Sequence, residues 1–274
     1  MTMGVKTAEH DYVHGQLHTS HAALFQRFEQ ANANALATSG LQTDLAYGPH
    51  PRQRYDLCTG PGQGQGVVLY FHAGYWQARD KSQFRFLAPA MRERGLTLAL
   101  MNYPLCPDTP LPGITRMVRD AIPAVRAQLS HLPADTPWIA CGHSAGAHLA
   151  VELALSQCYA PDGLACLSGV VAISGIYDLL PLLDTTLNRK LLLDTATAAA
   201  CSPLRRVHAG APPAHFVVGG LETSAFLAQS RNMAEAWRWA GNTSHHDTLP
   251  DKDHFSLLCG RQLPDLIRDM ALRA

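Results

Sequence analysis

Trp138-Ile139-Ala140-Cys141-Gly142-His143-Ser144-Ala145-Gly146-Ala147-His148-Leu149-Ala150 is the stretch on which the fold turns. Its first four residues are wholly apolar and read as a buried strand. From Ala145 to Cys158 the chain reads as a helix. Between the two lies Gly142-His143-Ser144-Ala145-Gly146. A serine on a strained strand-to-helix turn needs glycines on either side, where a side chain would clash with passing backbone. Such a turn lifts the hydroxyl over the carboxyl edge of the sheet. The helix amino terminus behind it favours developing negative charge. Ala147 and Ala150 allow that helix to lie close to the sheet. The rival reading is an ordinary glycine-rich turn, and the strand before and helix after weigh against it.

Outward from this turn the pattern alternates. Val67 to Phe71, Leu96 to Met101, Val170 to Ile173 and His215 to Val218 read as short apolar strands. Ser82 to Arg94, Ile114 to Leu129 and Ala225 to Trp239 read as helices between or after them. Unbroken apolar strands alternating with amphipathic helices predict an α/β fold with a mostly parallel sheet covered on both faces. Towards the amino end, about 19 to 37 reads as a helix that Ser20 could cap. Leu45 to Tyr47 and Gln53 to Leu57 read as short strands around a turn at Gly48-Pro49-His50-Pro51. Residues 1–274 read as one domain, with a helical extension over 1–40 and a Leu- and Ala-rich insertion over 177–206 that forms a small helical cap. Whether the extension covers the active site is open at this point.

The 274 residues can bury a large core, and 47% hydrophobic with 16% charged residues fits a globular enzyme rather than a disordered chain. Lys plus Arg and Asp plus Glu both number 22. With no basic excess, neither nucleic acid nor an anionic membrane is an expected partner, and a small molecule is. No secretory signal or membrane span is read. The seven scattered cysteines form no Cys-x-x-Cys and read as reduced thiols of a cytoplasmic protein, several of them core filler. Pairing into a homodimer is left open.

Three further segments carry chemistry. His72-Ala73-Gly74-Tyr75-Trp76 follows an apolar strand, where an acyl-transfer enzyme needs backbone N–H groups aimed at an oxyanion. Gly74 and Tyr75 are placed to supply two, and Ala145, after the serine, a third. His72 reads first as a residue holding this loop, with direct catalysis the lesser alternative. Tyr75 and Trp76 read evenly as core or as pocket wall. Asp251-Lys252-Asp253-His254-Phe255-Ser256 comes late, in a polar loop after a strand expected at Thr243 to Thr248. His254 fits the general base, with His245 and His246 as rivals inside the strand. The acid is Glu222, after the strand at His215 to Val218. Asp178 competes but reads as a helix cap, and Asp247, Asp251 and Asp253 stand too near His254 in sequence to orient its ring. No metal is expected. His14, His18 and His21 recur at helical spacing, and His143 and His148 flank the elbow, but no His-Glu-x-x-His or Cys/His cluster appears. No phosphate-binding loop is present and no cofactor is implied.

These segments resemble the kynurenine formamidase (arylformamidase) and esterase family of the α/β-hydrolase superfamily. The family's His-Gly-Gly-Tyr-Trp reads here as His72-Ala73-Gly74-Tyr75-Trp76, and Ser174-Gly175-Ile176-Tyr177-Asp178-Leu179 resembles its Ser-Gly-x-Tyr-Asp-Leu. Tyr47-Gly48, Tyr55-Asp56-Leu57, Phe226 to Ser230 and His254-Phe255-Ser256 also match, so the likeness runs from about Ala46 to Leu258. Ala73 stands in place of a glycine, and Glu222 in place of the usual Asp. The resemblance implies an α/β-hydrolase fold and a serine hydrolase that removes a small acyl group, formyl foremost, from an aryl amide. A carboxylesterase for short acyl esters, an amidase for another aryl amide or carbamate, and a non-catalytic scaffold are the alternatives. His72, Trp76 and Tyr177 are expected to contact substrate.

Overall fold

A computed structural model describes residues 7–62, 64–157 and 167–273. Cys158 and Cys166 lie outside the described residues. Eight strands form one sheet among them: Gln42–Ala46 (β1), Arg54–Cys58 (β2), Gly66–Phe71 (β3), Leu96–Met101 (β4), Trp138–His143 (β5), Gly169–Ile173 (β6), Ala214–Gly219 (β7) and Ser244–Leu249 (β8). Their order is β1-β2-β4-β3-β5-β6-β7-β8. β1 and β2 join antiparallel, and every pairing from β4 through to β8 is parallel. β3, β4, β5 and β6 are buried from end to end. Apart from Thr97 and His143, their residues are apolar on both faces, so both faces must be covered.

The helices are Ala8–Tyr12 (α1), His21–Thr38 (α2), Ala88–Glu93 (α3), Leu111–Met117 (α4), Ala121–Gln128 (α5), Ala145–Gln157 (α6), Asn188–Leu191 (α7), Thr195–Ala200 (α8), Ser224–Trp239 (α9) and Gln262–Leu272 (α10). On one face, Val67, Leu69 and Phe71 of β3 pack with Ile114, Val125, Ala147, Val151, Met233 and Trp237 of the α4, α5, α6 and α9 helices. On the other, Val68 and Tyr70 pack with Met91 of α3 and Leu263, Ile267 and Ala271 of α10. The period-two alternation along β3 therefore feeds two separate cores. No helix among the described residues is long and apolar enough to cross a membrane.

The expected strands and helices are present, with four differences. The segment at 82–94 begins as a 3-10 helix, Lys81–Leu87, and becomes α-helical only at Ala88. Pro89 has no N–H to donate back into the preceding turn. The expected helix 114–129 divides into α4, a 3-10 turn and α5, and Pro123 sits where α5 starts. Ser20 does not cap α2, because its own backbone is already helical (φ −70°, ψ −16°) and its hydroxyl makes no cap bond. The helix α10 was not anticipated. Leu263, Leu266, Ile267, Met270 and Ala271 carry its spacing, and they close the second core.

Within 177–206, two 3-10 turns (Leu180–Asp184 and Pro203–Arg205) flank α7 and α8, so this segment is a set of short helical turns. Asp178 accepts from the Leu180 N–H at 3.3 Å just before the first of them. Cys58, Cys106, Cys141 and Cys201 are buried free thiols, and Cys259 is half-buried.

Candidate active site

Ser144 stands between β5 and α6 with φ at +58°, in the left-handed region. A non-glycine residue held there costs about 1–3 kcal/mol. The surroundings hold it in place. Its N–H donates to the Ile173 carbonyl of β6 at 2.8 Å, and its own carbonyl accepts from Ala147 and His148 at 3.0 and 3.3 Å. The flanking glycines are sterically required. A Cβ on Gly142 would lie 2.1 Å from the Gly146 carbonyl oxygen, and one on Gly146 would lie 2.0 Å from that of Phe71. The turn is thus clamped between β3 and β6.

After β3, the loop from His72 to Arg79 folds back on itself. Gly74 has φ +131°, and a Cβ there would meet the Ala78 carbonyl oxygen at 2.2 Å. Tyr75 (φ +50°) and Trp76 (φ +57°) continue in the left-handed region. The Gly74 carbonyl accepts from Gln77 and Ala78, both at 3.0 Å. Ala73 is not among the positive-φ residues, so a side chain fits there without strain. The N–H groups of Gly74, Tyr75 and Ala145 donate to no other group among the described residues. The Tyr75 hydroxyl is tied to the carbonyl of Tyr12.

His254 and Glu222 meet at the far side. His254 Nδ1 donates to Glu222 Oε2 at 2.7 Å, with the carboxylate fully buried and the ring nearly so. The other oxygen, Glu222 Oε1, accepts from the Gly219 N–H at 2.8 Å and from the Ser174 hydroxyl. Glutamate is long enough to serve both sides, so the methylene that distinguishes it from Asp is accommodated. Asp178 instead contacts Arg205 at 3.6 Å. His245 and His246 lie on β8, and neither bonds Glu222.

The loop bearing His254 is built by its neighbours. Asp253 Oδ1 accepts from the Phe255 and Ser256 N–H groups at 2.9 and 2.8 Å, and His21 of α2 stands 3.3 Å from it. Burial pushes the Asp253 carboxyl up, but these hydrogen bonds outweigh it and leave it below its ordinary pKa. His143 Nε2 donates to the His254 carbonyl at 2.6 Å, and the two rings lie 4.6 Å apart. Full burial, with His254 beside it, holds His143 well below the usual histidine pKa, so it is a neutral donor.

Ser144, His254, Gly74 and Tyr75 open into one cavity of ≈ 400 Å³, with Arg79, Phe255, Leu187 and Lys190 on its wall. Among the described residues the Ser144 hydroxyl makes no hydrogen bond, to His254 or to any other group. Such a link is often loose in an empty site and closes with substrate. Tyr12, Val13, Gln16 and Leu17 also line the cavity, so the amino-terminal extension does cover this site. A larger cavity of ≈ 570 Å³ between β8 and α10 contains none of these groups.

The residues expected to contact substrate do not line the cavity. His72, Trp76 and Tyr177 are each fully buried. The His72 ring is stacked on Tyr103 at 4.3 Å and donates from Nδ1 to the Ala73 carbonyl at 2.7 Å. It holds the loop, as its first reading had it, and burial brings its pKa down to about 4. Trp76 packs edge-on to His148 at 5.0 Å, and Tyr177 against Phe216 at 5.7 Å. The positive φ at 75 and 76 turns the chain so that Tyr75 reaches the cavity and Trp76 the core.

The sequence assigned no site role to Ser174, quoted only within the Ser-Gly-x-Tyr-Asp-Leu resemblance, to His143, weighed only for a metal, or to the Tyr12–Leu17 segment. Among the described residues no group of three His, Cys, Asp or Glu side chains is placed to hold a metal ion.

The profile of the family described as the alpha/beta hydrolase fold matches residues 68–258. Kynurenine formamidase of Danio rerio is 29% identical over 222 residues, covering 78% of this chain and 75% of that one. Esterase LipQ of Mycobacterium tuberculosis is 30% identical over 239 residues, covering 77% of this chain and 56% of that protein. The solved structure of a candidate thioesterase from Silicibacter sp. TM1040 superposes with a TM-score of 0.79 at 30% identity, over 91% of this chain and 92% of that one. The Pyrobaculum calidifontis esterase, at 15% identity and a TM-score of 0.74 over 96% of each chain, shares the fold. Matched by that profile over more than two thirds of its length, the chain belongs to the alpha/beta hydrolase fold family.

Proposed function

We propose that this protein is a serine hydrolase that cleaves a small acyl group, formyl foremost, from an aryl amide. The observation that carries the reading is the 2.7 Å bond from His254 Nδ1 to buried Glu222, with the other face of the site holding Ser144 on a left-handed turn in the same cavity. A carboxylate on Nδ1 fixes the tautomer that leaves Nε2 free to accept a proton.

In this reading Ser144 Oγ attacks the acyl carbonyl and His254 Nε2 takes its proton. The N–H groups of Gly74, Tyr75 and Ala145 hold the tetrahedral oxyanion. His254 then protonates the leaving nitrogen as the carbon–nitrogen bond breaks. Water, deprotonated by the same ring, releases the acyl group as the free acid. An aryl amine is a better leaving group than an alkyl one, because its lone pair is shared with the ring. A cavity of ≈ 400 Å³ is of a size for one aryl ring and its substituents. The formamidase relative supports the amide.

The esterase relative supports a second reading, short acyl esters on the same machinery. Turnover of N-formylkynurenine, p-nitrophenyl acetate and a longer-chain ester separates the two. Failure of a fluorophosphonate probe to label Ser144 would exclude both. The site requires no cofactor in either reading. One domain, a cytoplasmic location and a small-molecule substrate belong to the same proposal.

A further inference from the structure

Among the described residues, Arg79 is the one charged group on the cavity wall that the chemistry above does not use and that stands in contact with the rings around His254. Its guanidinium carbon lies 5.0 Å over the Phe25 ring and 4.8 Å over the Phe255 ring, and Phe255 adjoins His254. Among the described residues its side chain makes no ion pair and no hydrogen bond. The adjacent carboxylate, Asp80, is committed elsewhere: to the Asn102 amide at 2.6 Å, the Ser82 N–H at 3.0 Å and Arg52 at 3.4 Å. Among the described residues no Asp or Glu lines the cavity, and the second cation there, Lys190, also has no ion pair. The pocket is cationic in a chain whose formal net charge is zero.

The placement of Arg79 is specified by the backbone. It has φ +72°, a left-handed conformation for a residue with a full side chain. The turn is held by Arg52 Nη2, which donates to the Arg79 carbonyl at 3.0 Å. Strain of this kind persists only where the surroundings enforce it. The side chain is half-buried, and contact with two aromatic faces is worth about 0.5–2 kcal/mol. That contact engages the faces of the rings and leaves the guanidinium N–H donors free to meet a ligand in the cavity. Burial accordingly lowers the Arg79 pKa from its ordinary value.

We propose that Arg79 is the anion-binding residue of this site, and that the molecule hydrolysed carries a carboxylate on its aryl portion. The planar fork of a guanidinium fits the two oxygens of a carboxylate, and the flanking rings suit an aryl group beside it. The proposal rests on the hydrolase reading above for the word substrate, but not for the anion site itself.

The test uses matched pairs that differ only in charge: the ring isomers of formamidobenzoate and acetoxybenzoate against the corresponding benzamides. The quantity read is the ratio of kcat/KM, acid over amide, in the wild type, Arg79→Met and Arg79→Lys. The wild type is expected to favour the acid in at least one pair, chiefly through KM. Arg79→Met is expected to lower that ratio by about 10- to 100-fold, as for a charge-assisted contact, and Arg79→Lys to restore part of it. A structural role between Phe25 and Phe255 would slow both members of a pair alike. An unchanged ratio in Arg79→Met, or a wild type that disfavours every acid, overturns the proposal.

Direct binding separates this from failure of the hydrolase reading. Titration of Ser144→Ala with benzoate and benzamide is expected to show tighter benzoate, lost on adding Arg79→Met. Benzoate and benzamide binding alike would remove the anion site even in an active hydrolase. Inorganic phosphate binding as tightly as benzoate would overturn the carboxylate assignment. No turnover of any acyl compound, together with Arg79-dependent benzoate binding, would leave the anion site standing and the hydrolase reading broken.

Discussion

Two serines, one strand apart, use the same backbone device and have different roles. Ser144 ends β5 with φ +58°, and its N–H crosses to the Ile173 carbonyl of β6 at 2.8 Å. Ser174 ends β6 with φ +48°, and its N–H crosses to the Val217 carbonyl of β7 at 2.7 Å. Both are buried at the same carboxyl edge of the sheet. Ser144 opens into the cavity with an uncommitted hydroxyl, whereas Ser174 donates its hydroxyl to Glu222. Left-handed strain at a strand end is therefore not enough to propose a nucleophile. What differs is the partner: a helix amino terminus and an open cavity in one case, a buried carboxylate in the other.

The largest expected effect breaks the pair outright. Ser144→Ala should lower kcat/KM by about 10⁴-fold or more and abolish fluorophosphonate labelling. Ser174→Ala should still label. If Ser144→Ala kept near-normal turnover while Ser174→Ala lost it, the roles of the two serines would be reversed. Next in size is Glu222→Gln. The amide preserves shape but can present an N–H to His254 Nδ1, which favours the wrong tautomer, and turnover should fall by about 10³- to 10⁴-fold. A loss under tenfold would mean that the His254 ring is oriented by something else, and the bond from His143 to the His254 carbonyl would be the next group to test.

Ser174→Ala sharpens the comparison at smaller scale. It should cost about tenfold in kcat with KM little changed, because the hydroxyl acts only through the carboxylate. Ser174→Thr keeps a donor and should recover part of the loss. A change in KM rather than kcat, with no recovery in Ser174→Thr, would assign Ser174 to packing alone.

How far each serine could be read in advance follows from what decides its role. The turn at Ser144 was readable because its requirements are local: glycines on either side, an apolar strand before, a helix after. The meeting of Glu222 with His254 was readable because each follows a strand in the expected order. The role of Ser174 depends on where Glu222 arrives, 48 residues later, and no local pattern encodes that. The amino-terminal cover is set by contacts such as Gln229 to the Tyr12 hydroxyl at 2.8 Å and Thr223 to the Asp11 carbonyl at 2.9 Å, which join distant segments. Trp76 was placed evenly between core and pocket wall because an aromatic residue beside that loop suits either fate, and the left-handed backbone at 75 and 76 turned it into the core. Tyr177 was placed at the substrate by the resemblance alone, and it packs against Phe216. The amphipathic spacing of α10 is legible in the sequence from Leu263 to Ala271.

The smallest effect concerns stability on the β5 side. His143 precedes Ser144 and His148 follows it one turn along α6. Both are fully buried, and His148 Nε2 donates to the Cys201 carbonyl at 2.8 Å. Burial, chiefly, lowers His148 from the ordinary 6.5 to about 4 and His72 likewise. Between those values the unfolded chain holds a proton that the folded chain refuses, so the unfolded state gains as pH falls. Stability should be intact above pH 6.5, decline through pH 5 and level off below about 4. Glu152 works the other way. Burial raises it to about 7 against Arg206, so its contribution to stability is lost as pH rises from about 4.5 through 7. Three buried rings outweigh one carboxyl, and the thermal midpoint should drop by about 5 °C or more between pH 7 and pH 4.5. His148→Gln keeps a donor for Cys201 but cannot titrate, and should flatten that slope by about a third while leaving the midpoint at pH 7 nearly unchanged. A midpoint that rises on acidification would show that the ring beside the elbow is charged in the folded protein. The Ser144 edge would then be as charged a place as the Ser174 edge, and the contrast between them would fail.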